Sequence, residues 1–340
     1  METFDIRVLF VRSDLTDPYI ELENAMISHL QDLVNKVEVT SNKLLIHHCL
    51  KFQPQLIIIF AGFLVENIAI QYLKRLGYSI AIWIVDDPYH IDVTKNKALL
   101  CDIIFTQDSG CVRHYQACGH PHVYHLPLGV DIHTYYADEI PEAEKIDFCF
   151  LGSGFTDRIS FFNRVFDYLS SKRTLISGRW WERLAQYDTE KGRAMCKLTR
   201  YDASETANIY RHTKIAINLH RHPFADPHND NQNQLPAQSI NNRIFEVLSC
   251  GTFLLTNCSL DLTDYYNPDT EIGIFNSSEE FIQKAAYYLK HQQVRKQMVQ
   301  SAQQRTHQEH SYHRRLTQLL QTAVDAVKLP NMKYNKNVDR

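Results

Sequence analysis

At 340 residues the chain is long for one core and sufficient for two ordinary domains, with 44% hydrophobic and 22% charged residues. A net charge of -3 gives no electrostatic case for nucleic acid or an anionic membrane surface, and no apolar run approaches membrane-spanning length. The eight cysteines form no C-x-x-C pair and several sit in apolar runs, such as Cys149 in Asp147-Phe148-Cys149-Phe150. They read as reduced, mostly buried thiols, and with no signal peptide before the first strand the expected location is the cytoplasm.

In chain order, strands are expected at Ile6 to Phe10, Leu56 to Phe60, Ser79 to Val85, Asp102 to Thr106 and Val123 to Pro127. Amphipathic helices are expected from about Tyr19 to Leu33 and Val65 to Leu76. Such alternation predicts a doubly wound parallel sheet covered by helices on both faces. The charged stretch Thr134 to Lys145 reads as a linker, after which a second alternating set begins. Its strands are expected at Phe148 to Leu151, Arg173 to Ile176, Ile215 to Leu219, Thr252 to Leu255 and Ile272 to Phe275. Pro223 to Gln238, dense in Asn, Asp, Gln, His and Pro, is expected to be a mobile loop. A long helical tail from about Glu279 to Val327 should break near His291. The resulting division is 1–140 and 146–290 as two domains, 291–328 as helices bracing them, and 329–340 as a flexible tail.

Open parallel sheets bind ligands beyond the carboxyl ends of their strands, so the polar residues that follow each apolar run are the candidates. Gly152-Ser153-Gly154 and Arg158 follow the first strand of the second half, either as a phosphate-binding loop or as an ordinary strand–helix turn. Gly178-Arg179-Trp180 follows the next strand, where an aromatic would flank a nucleobase or pack beneath the sheet with Trp181. His220 and Arg221 form a cationic pair suited to phosphate or sugar hydroxyls. Asn242, Arg243 and Glu246 open a helix whose N–H groups suit an anion, while Glu246 would accept hydrogen bonds from ribose hydroxyls. In the first half, Asp86 and Asp87 end a strand, as a general base, as hydroxyl ligands or as a helix cap. No third carboxylate favours a metal there, and His120-Pro121-His122 would need a bend to chelate one with His125.

Taken in order, Trp83-Ile84-Val85-Asp86-Asp87-Pro88, Leu126-Pro127-Leu128-Gly129-Val130-Asp131, Phe150-Leu151-Gly152-Ser153 with Arg158, Gly178-Arg179-Trp180-Trp181, Lys214 to Arg221, and Arg243-Ile244-Phe245-Glu246 with Cys250-Gly251 span about two-thirds of the chain. This ordered set resembles the CgeB-like, or spore maturation protein, group of family-1-type glycosyltransferases. The resemblance implies a GT-B fold: two Rossmann-like doubly wound domains facing across a cleft, with C-terminal helices, the acceptor mainly on the first domain and the nucleotide-sugar donor mainly on the second. It implies no cofactor and no catalytic metal, Glu246 on the donor ribose, and Arg243, Arg158 and the Gly152 to Gly154 loop on its diphosphate. Related retaining enzymes often carry a second glutamate eight residues before the ribose carboxylate; here that position is Gln238, which leaves the stereochemistry open.

The expected activity is transfer of a sugar from a nucleotide-diphosphate donor to a glycan, protein or small-molecule acceptor. Cations and amides would stabilise the departing diphosphate, and Asp86 or Asp87 would deprotonate the acceptor if the reaction inverts. Two other readings are a non-catalytic spore or envelope assembly protein with the same shell and a nucleotide-sugar epimerase.

Overall fold

The computed structural model describes residues 3–224 and 226–327. The chain forms two compact units: residues 3–129, 229–239 and 312–327 in the first, and 130–224, 226–228 and 240–311 in the second. The first contains β1 (Phe4–Val11), α1 (Tyr19–Leu33), β2 (Val34–Thr40), α2 (Leu45–Phe52), β3 (Leu56–Phe60), α3 (Asn67–Arg75), β4 (Ser79–Ile84), α4 (Ile91–Ala98), β5 (Ile103–Thr106), α5 (Ser109–Ala117) and β6 (Val123–His125). Its six strands run parallel in the order β2-β1-β3-β4-β5-β6. Strands buried on both faces explain the unbroken apolar runs. Leu56, Ile58 and Phe60 of β3 pack in one cluster with α1, whereas Ile57 and Ile59 pack on the other face with Leu45, Ile70 and Leu73.

The second unit contains β7 (Ile146–Leu151), α6 (Thr156–Ser170), β8 (Thr174–Ser177), α7 (Glu190–Met195), β9 (Cys196–Lys197), α8 (Ala203–Arg211), β10 (Thr213–Asn218), α9 (Asn242–Ser249), β11 (Phe253–Asn257), α10 (Leu262–Tyr265), β12 (Gly273–Phe275), α11 (Ser278–Lys290) and α12 (Gln292–Glu309). Its sheet is also parallel, in the order β12-β11-β10-β7-β8-β9. Helix starts are marked as the sequence chemistry demands: Asp202 and Glu205 form a capping box on α8, and Ser277 caps α11. The last helix, α13 (Tyr312–Val327), packs on the first sheet through Leu316, Leu319 and Leu320.

Several expectations change. The strand β2 was not foreseen because, at a sheet edge, only its end residues Val34 and Thr40 are buried and the segment Val34–Thr40 contains no apolar run. The expected linker Thr134 to Lys145 is part of the second unit, where Tyr135 is buried and its carbonyl accepts from Ser249. The helical tail breaks at His291 as expected but breaks again at His310 and Ser311, so that α12 lies in the second unit and α13 in the first. The expected flexible tail 329–340 lies outside the described residues.

The polar segment Pro223 to Gln238 is not a loop left to solvent. Asp230 N donates to Tyr89 O at 2.7 Å, Asp92 N to Asp230 O at 3.1 Å, and Gln232 N to Asp92 Oδ2 at 2.6 Å. Asp108 Oδ2 accepts from the N–H groups of Gln238 and Ser239 at 2.9 and 3.0 Å, and Leu235 packs against the first unit's core. Side-chain carboxylates thus supply the partners that a core would otherwise provide. Gln238, at the position of the missing glutamate, is engaged in the first unit, with Oε1 accepting from Ser109.

Candidate functional site

In the second unit the carboxyl ends of β7, β8, β10 and β11 and the start of α9 bring the expected residues together. The Gly152 backbone lies against two arginines: a Cβ there would stand 2.6 Å from Arg243 Nη2 and 3.3 Å from Arg158 Nη1. A Cβ at Gly178 would stand 2.3 Å from Gly152 O, with φ at +144°, so this turn closes only with glycine. The loop is locked further by Gly154 N donating to Arg179 O and by Trp181 Nε1 donating to Gly152 O, each at 2.8 Å.

Arg243 is half-buried and fixed, its Nη1 donating to Asn218 Oδ1 at 3.0 Å. Asn218 is fully buried; its Oδ1 also accepts from Asn241 Nδ2, and its own Nδ2 donates to Thr256 Oγ1. Arg158 is more buried than a surface phosphate ligand would be. Its Nη1 donates to Ser153 O at 3.0 Å and its Nη2 to Leu219 O at 2.8 Å. Arg158 and Arg243 lie over the Phe150 ring, and Arg158 and Arg221 over Phe155. The two rings therefore gather three guanidinium groups, an arrangement favoured by the negative faces of their π-systems.

Asn241 supplies no side-chain cap to α9; Ile244 N donates to Asn241 O at 3.3 Å, and the N–H groups of Asn242 and Arg243 ahead of it are the ones suited to an anion. One turn later Glu246 is buried and accepts from Asn242 Nδ2 at 2.6 Å.

His220 differs from its expected charge. Its backbone N–H and its Nδ1 both meet Asn257 Oδ1, at 2.9 and 3.0 Å. An oxygen that accepts the backbone N–H must also accept from Nδ1, so Nδ1 carries the proton. Burial, with Arg158 and Arg243 adding repulsion, pushes the imidazole down to about 4 against the support of Asn257. His220 is therefore neutral at pH 7, and the expected cationic pair is a neutral acceptor beside one arginine.

Trp180 presents one ring face to His228, with centroids 4.4 Å apart and planes 24° apart, so that face is covered by imidazole. Asp226 holds this arrangement, accepting from Thr156 N and from His228 N and Nδ1. Arg221 Nη2 donates to His228 O at 3.2 Å, so Arg221 helps fold the segment back. Arg179 is exposed, and Trp181 packs with Phe150 and Phe162 beneath the sheet.

The glycosyl transferase-like family matches residues 155–321, which carry Arg158, Arg221, Arg243 and Glu246. Spore protein CgeB of Bacillus subtilis (strain 168) is 23% identical over 244 residues, covering 72% of this chain and 75% of that protein. The chain is thus similar to the CgeB-like group 1 glycosyltransferases. Among solved structures, a glycosyltransferase from Rickettsia africae ESF-5 aligns with a TM-score of 0.66 at 12% identity, covering 95% of this chain and 99% of that one. Anabaena HepE, solved in complex with UDP, aligns with a TM-score of 0.64 at 12% identity, covering 94% and 99%. These likenesses show the GT-B fold of two Rossmann-like domains.

In this CgeB-like chain the first unit separates the two expected carboxylates. Asp86 is half-buried and its Oδ2 accepts from Tyr19 OH at 2.5 Å. Asp87 is buried, accepting from Thr106 Oγ1 at 2.7 Å and Tyr115 OH at 3.3 Å. Burial raises Asp87 to about 7, the two hydroxyl donors oppose the rise, and Asp108 and Asp86 add to it. His120 is occupied at both ring nitrogens, by Cys101 O and His122 N, and among the described residues no group of three potential ligands is arranged for a metal ion. No helix among them is long and apolar enough to cross a membrane.

Sequence reasoning missed Asn218, Asn257, Phe155 and Asp226. The signal for the first two was present: each is an amide closing an apolar strand, where a polar side chain has a purpose if it organises its neighbours.

Proposed function

We propose that the second unit binds a nucleoside-diphosphate sugar and that the protein transfers the sugar to a hydroxyl acceptor without a catalytic metal. The observation that carries this reading is Arg243, held by buried Asn218 against the Gly152 backbone beside the uncapped first turn of α9. A fixed guanidinium next to free N–H groups suits a diphosphate, and needs no reorganisation when charge gathers there. Arg158, already committed to two carbonyls, supplies positive potential and a rigid loop, while Glu246, oriented by Asn242, takes the ribose hydroxyls. Complexes of the structural relative HepE with UDP and with UDP-glucose support a donor of this class.

The acceptor oxygen attacks the anomeric carbon, the bond from that carbon to the diphosphate oxygen breaks, and its electron pair leaves with the diphosphate. Asp86 is the candidate to receive the acceptor's proton if the reaction inverts; Asp87 is the poorer one, because it is buried.

Calorimetric titration with UDP, GDP, ADP, dTDP and CDP tests the reading. One of them should bind, and Glu246→Ala and Arg243→Ala should each weaken it by tenfold or more without unfolding the protein. No binding by any of the five would overturn the proposal. Turnover of the matching nucleotide sugar should persist in chelator; loss that manganese restores would reject the metal-free mechanism, and release of a free epimerised sugar would point to an epimerase.

A further inference from the structure

We propose that His220 Nε2 accepts a hydrogen bond from a hydroxyl of the transferred sugar, so that His220 selects donors carrying that hydroxyl. This inference rests on the nucleotide-sugar reading above. The hydrogen bonds to Asn257 leave Nε2 as the acceptor of the ring, and that atom is shielded from solvent with no hydrogen-bond partner among the described residues. A buried acceptor in this state is costly unless a donor reaches it. Because the imidazole is neutral near pH 7, it offers an acceptor rather than a second cation.

Asn241 gives an independent second instance. Its Nδ2 is spent on Asn218 Oδ1, which also accepts from Arg243, and its Oδ1 is buried with no partner among the described residues. The end of β10 and the start of α9 thus combine fixed cations with two acceptors whose polarity their own networks dictate. A phosphate carries no hydrogen for such acceptors and belongs with Arg243. The part of the ligand that can satisfy them bears hydroxyls. Glu246, one turn into α9, is the acceptor proposed for ribose, whereas His220 lies beside Arg158 and Arg243, where the diphosphate joins the sugar. A ligand hydroxyl reaches Nε2 by displacing the side chains that shield it, which couples recognition of the sugar to a local rearrangement of the loop that follows β10.

The test compares two ligands on intact protein: the nucleoside diphosphate that binds best, and its sugar esters with glucose, galactose, N-acetylglucosamine and mannose. His220→Phe should weaken the preferred nucleotide sugar about tenfold and leave the free diphosphate within about twofold, since only the sugar supplies the hydrogen bond. His220→Gln, which keeps a side-chain acceptor, should recover part of the loss. Equal weakening of both ligands, or weakening of neither, overturns the proposal while leaving the nucleotide-sugar reading intact; failure of every diphosphate to bind the parent protein overturns that reading instead. A second arm needs no variant. Among monodeoxy analogues of the preferred sugar, at least one should bind the parent about tenfold more weakly, and indifference to every position would reject the proposal even if His220→Phe did not fold.

Discussion

Arg243 Nη1 and Asn218 Oδ1 meet at 3.0 Å, across 25 residues of sequence, and this one contact fixes the cation of the proposed diphosphate site. Asn218 is wholly buried and cannot touch a ligand without first releasing Arg243 or Asn241. It is a positioning residue. Asn218→Ala should lower stability by about 1–3 kcal/mol, the cost of unsatisfied buried donors, and reduce turnover more than it weakens diphosphate binding. Denaturant titration with steady-state kinetics checks both. Unchanged turnover in a folded variant would mean that Arg243 needs no anchor.

Arg158 and Arg243 should respond differently to the same substitution. Arg158 is buried with two donors on carbonyl oxygens and lies over two rings, so Arg158→Ala should cost about 2–4 kcal/mol. Arg243→Ala should cost less stability and far more activity, because Arg243 is only partly buried and faces the proposed diphosphate site. Thermal melts and initial rates measured on the two variants separate these outcomes, and a reversed order would exchange their roles.

Asp87 makes folding pH-dependent. Its folded value of about 7 lies above the ordinary carboxylate value, so the native state holds the proton more tightly than the unfolded chain. Stability from this group is full at low pH, falls as pH rises from about 4 to 7, and stays low above that. Asp87→Asn, which mimics the protonated acid, should therefore gain on the parent across that range, by roughly 2–4 kcal/mol at pH 8. Chemical denaturation at pH 4 to 8 tests this, and a difference independent of pH would show that Asp87 is not held protonated.

Asp226 works in the opposite direction. Burial alone would raise it, yet hydrogen bonds from His228 and Thr156 outweigh burial and hold it down at about 2. Its contribution is present above the ordinary carboxylate value and lost as pH falls toward 2. Asp226→Ala should release His228 from Trp180, cost about 1–3 kcal/mol, and shift Trp180 emission to the red. An emission spectrum identical to the parent's, with Trp180→Phe as the control for the other tryptophans, would show that Asp226 does not hold the stack.

The architecture and the addresses of the site follow from the order of the apolar runs and the polar residues after them. Runs such as Leu56 to Phe60 and Phe253 to Leu255 could bury both faces only in helix-covered parallel sheets, and the polar residues after each run had to fall at the carboxyl ends of strands. Gly152, Arg158, His220, Arg243 and Glu246 were therefore legible as neighbours. Their chemical states were not. Long-range packing sets them: Asn218 anchors Arg243, Asn257 fixes the proton of His220 on Nδ1 and leaves Nε2 a buried acceptor, Asp87 is buried while Asp86 is not, and residues 229–239 return to the first unit through Asp108. Each depends on hydrogen bonds between residues 19 to 131 positions apart. Local propensity and periodicity describe how a segment buries its own faces; they carry no information about which distant side chain will satisfy a buried polar atom, and that choice sets charge, tautomer and orientation.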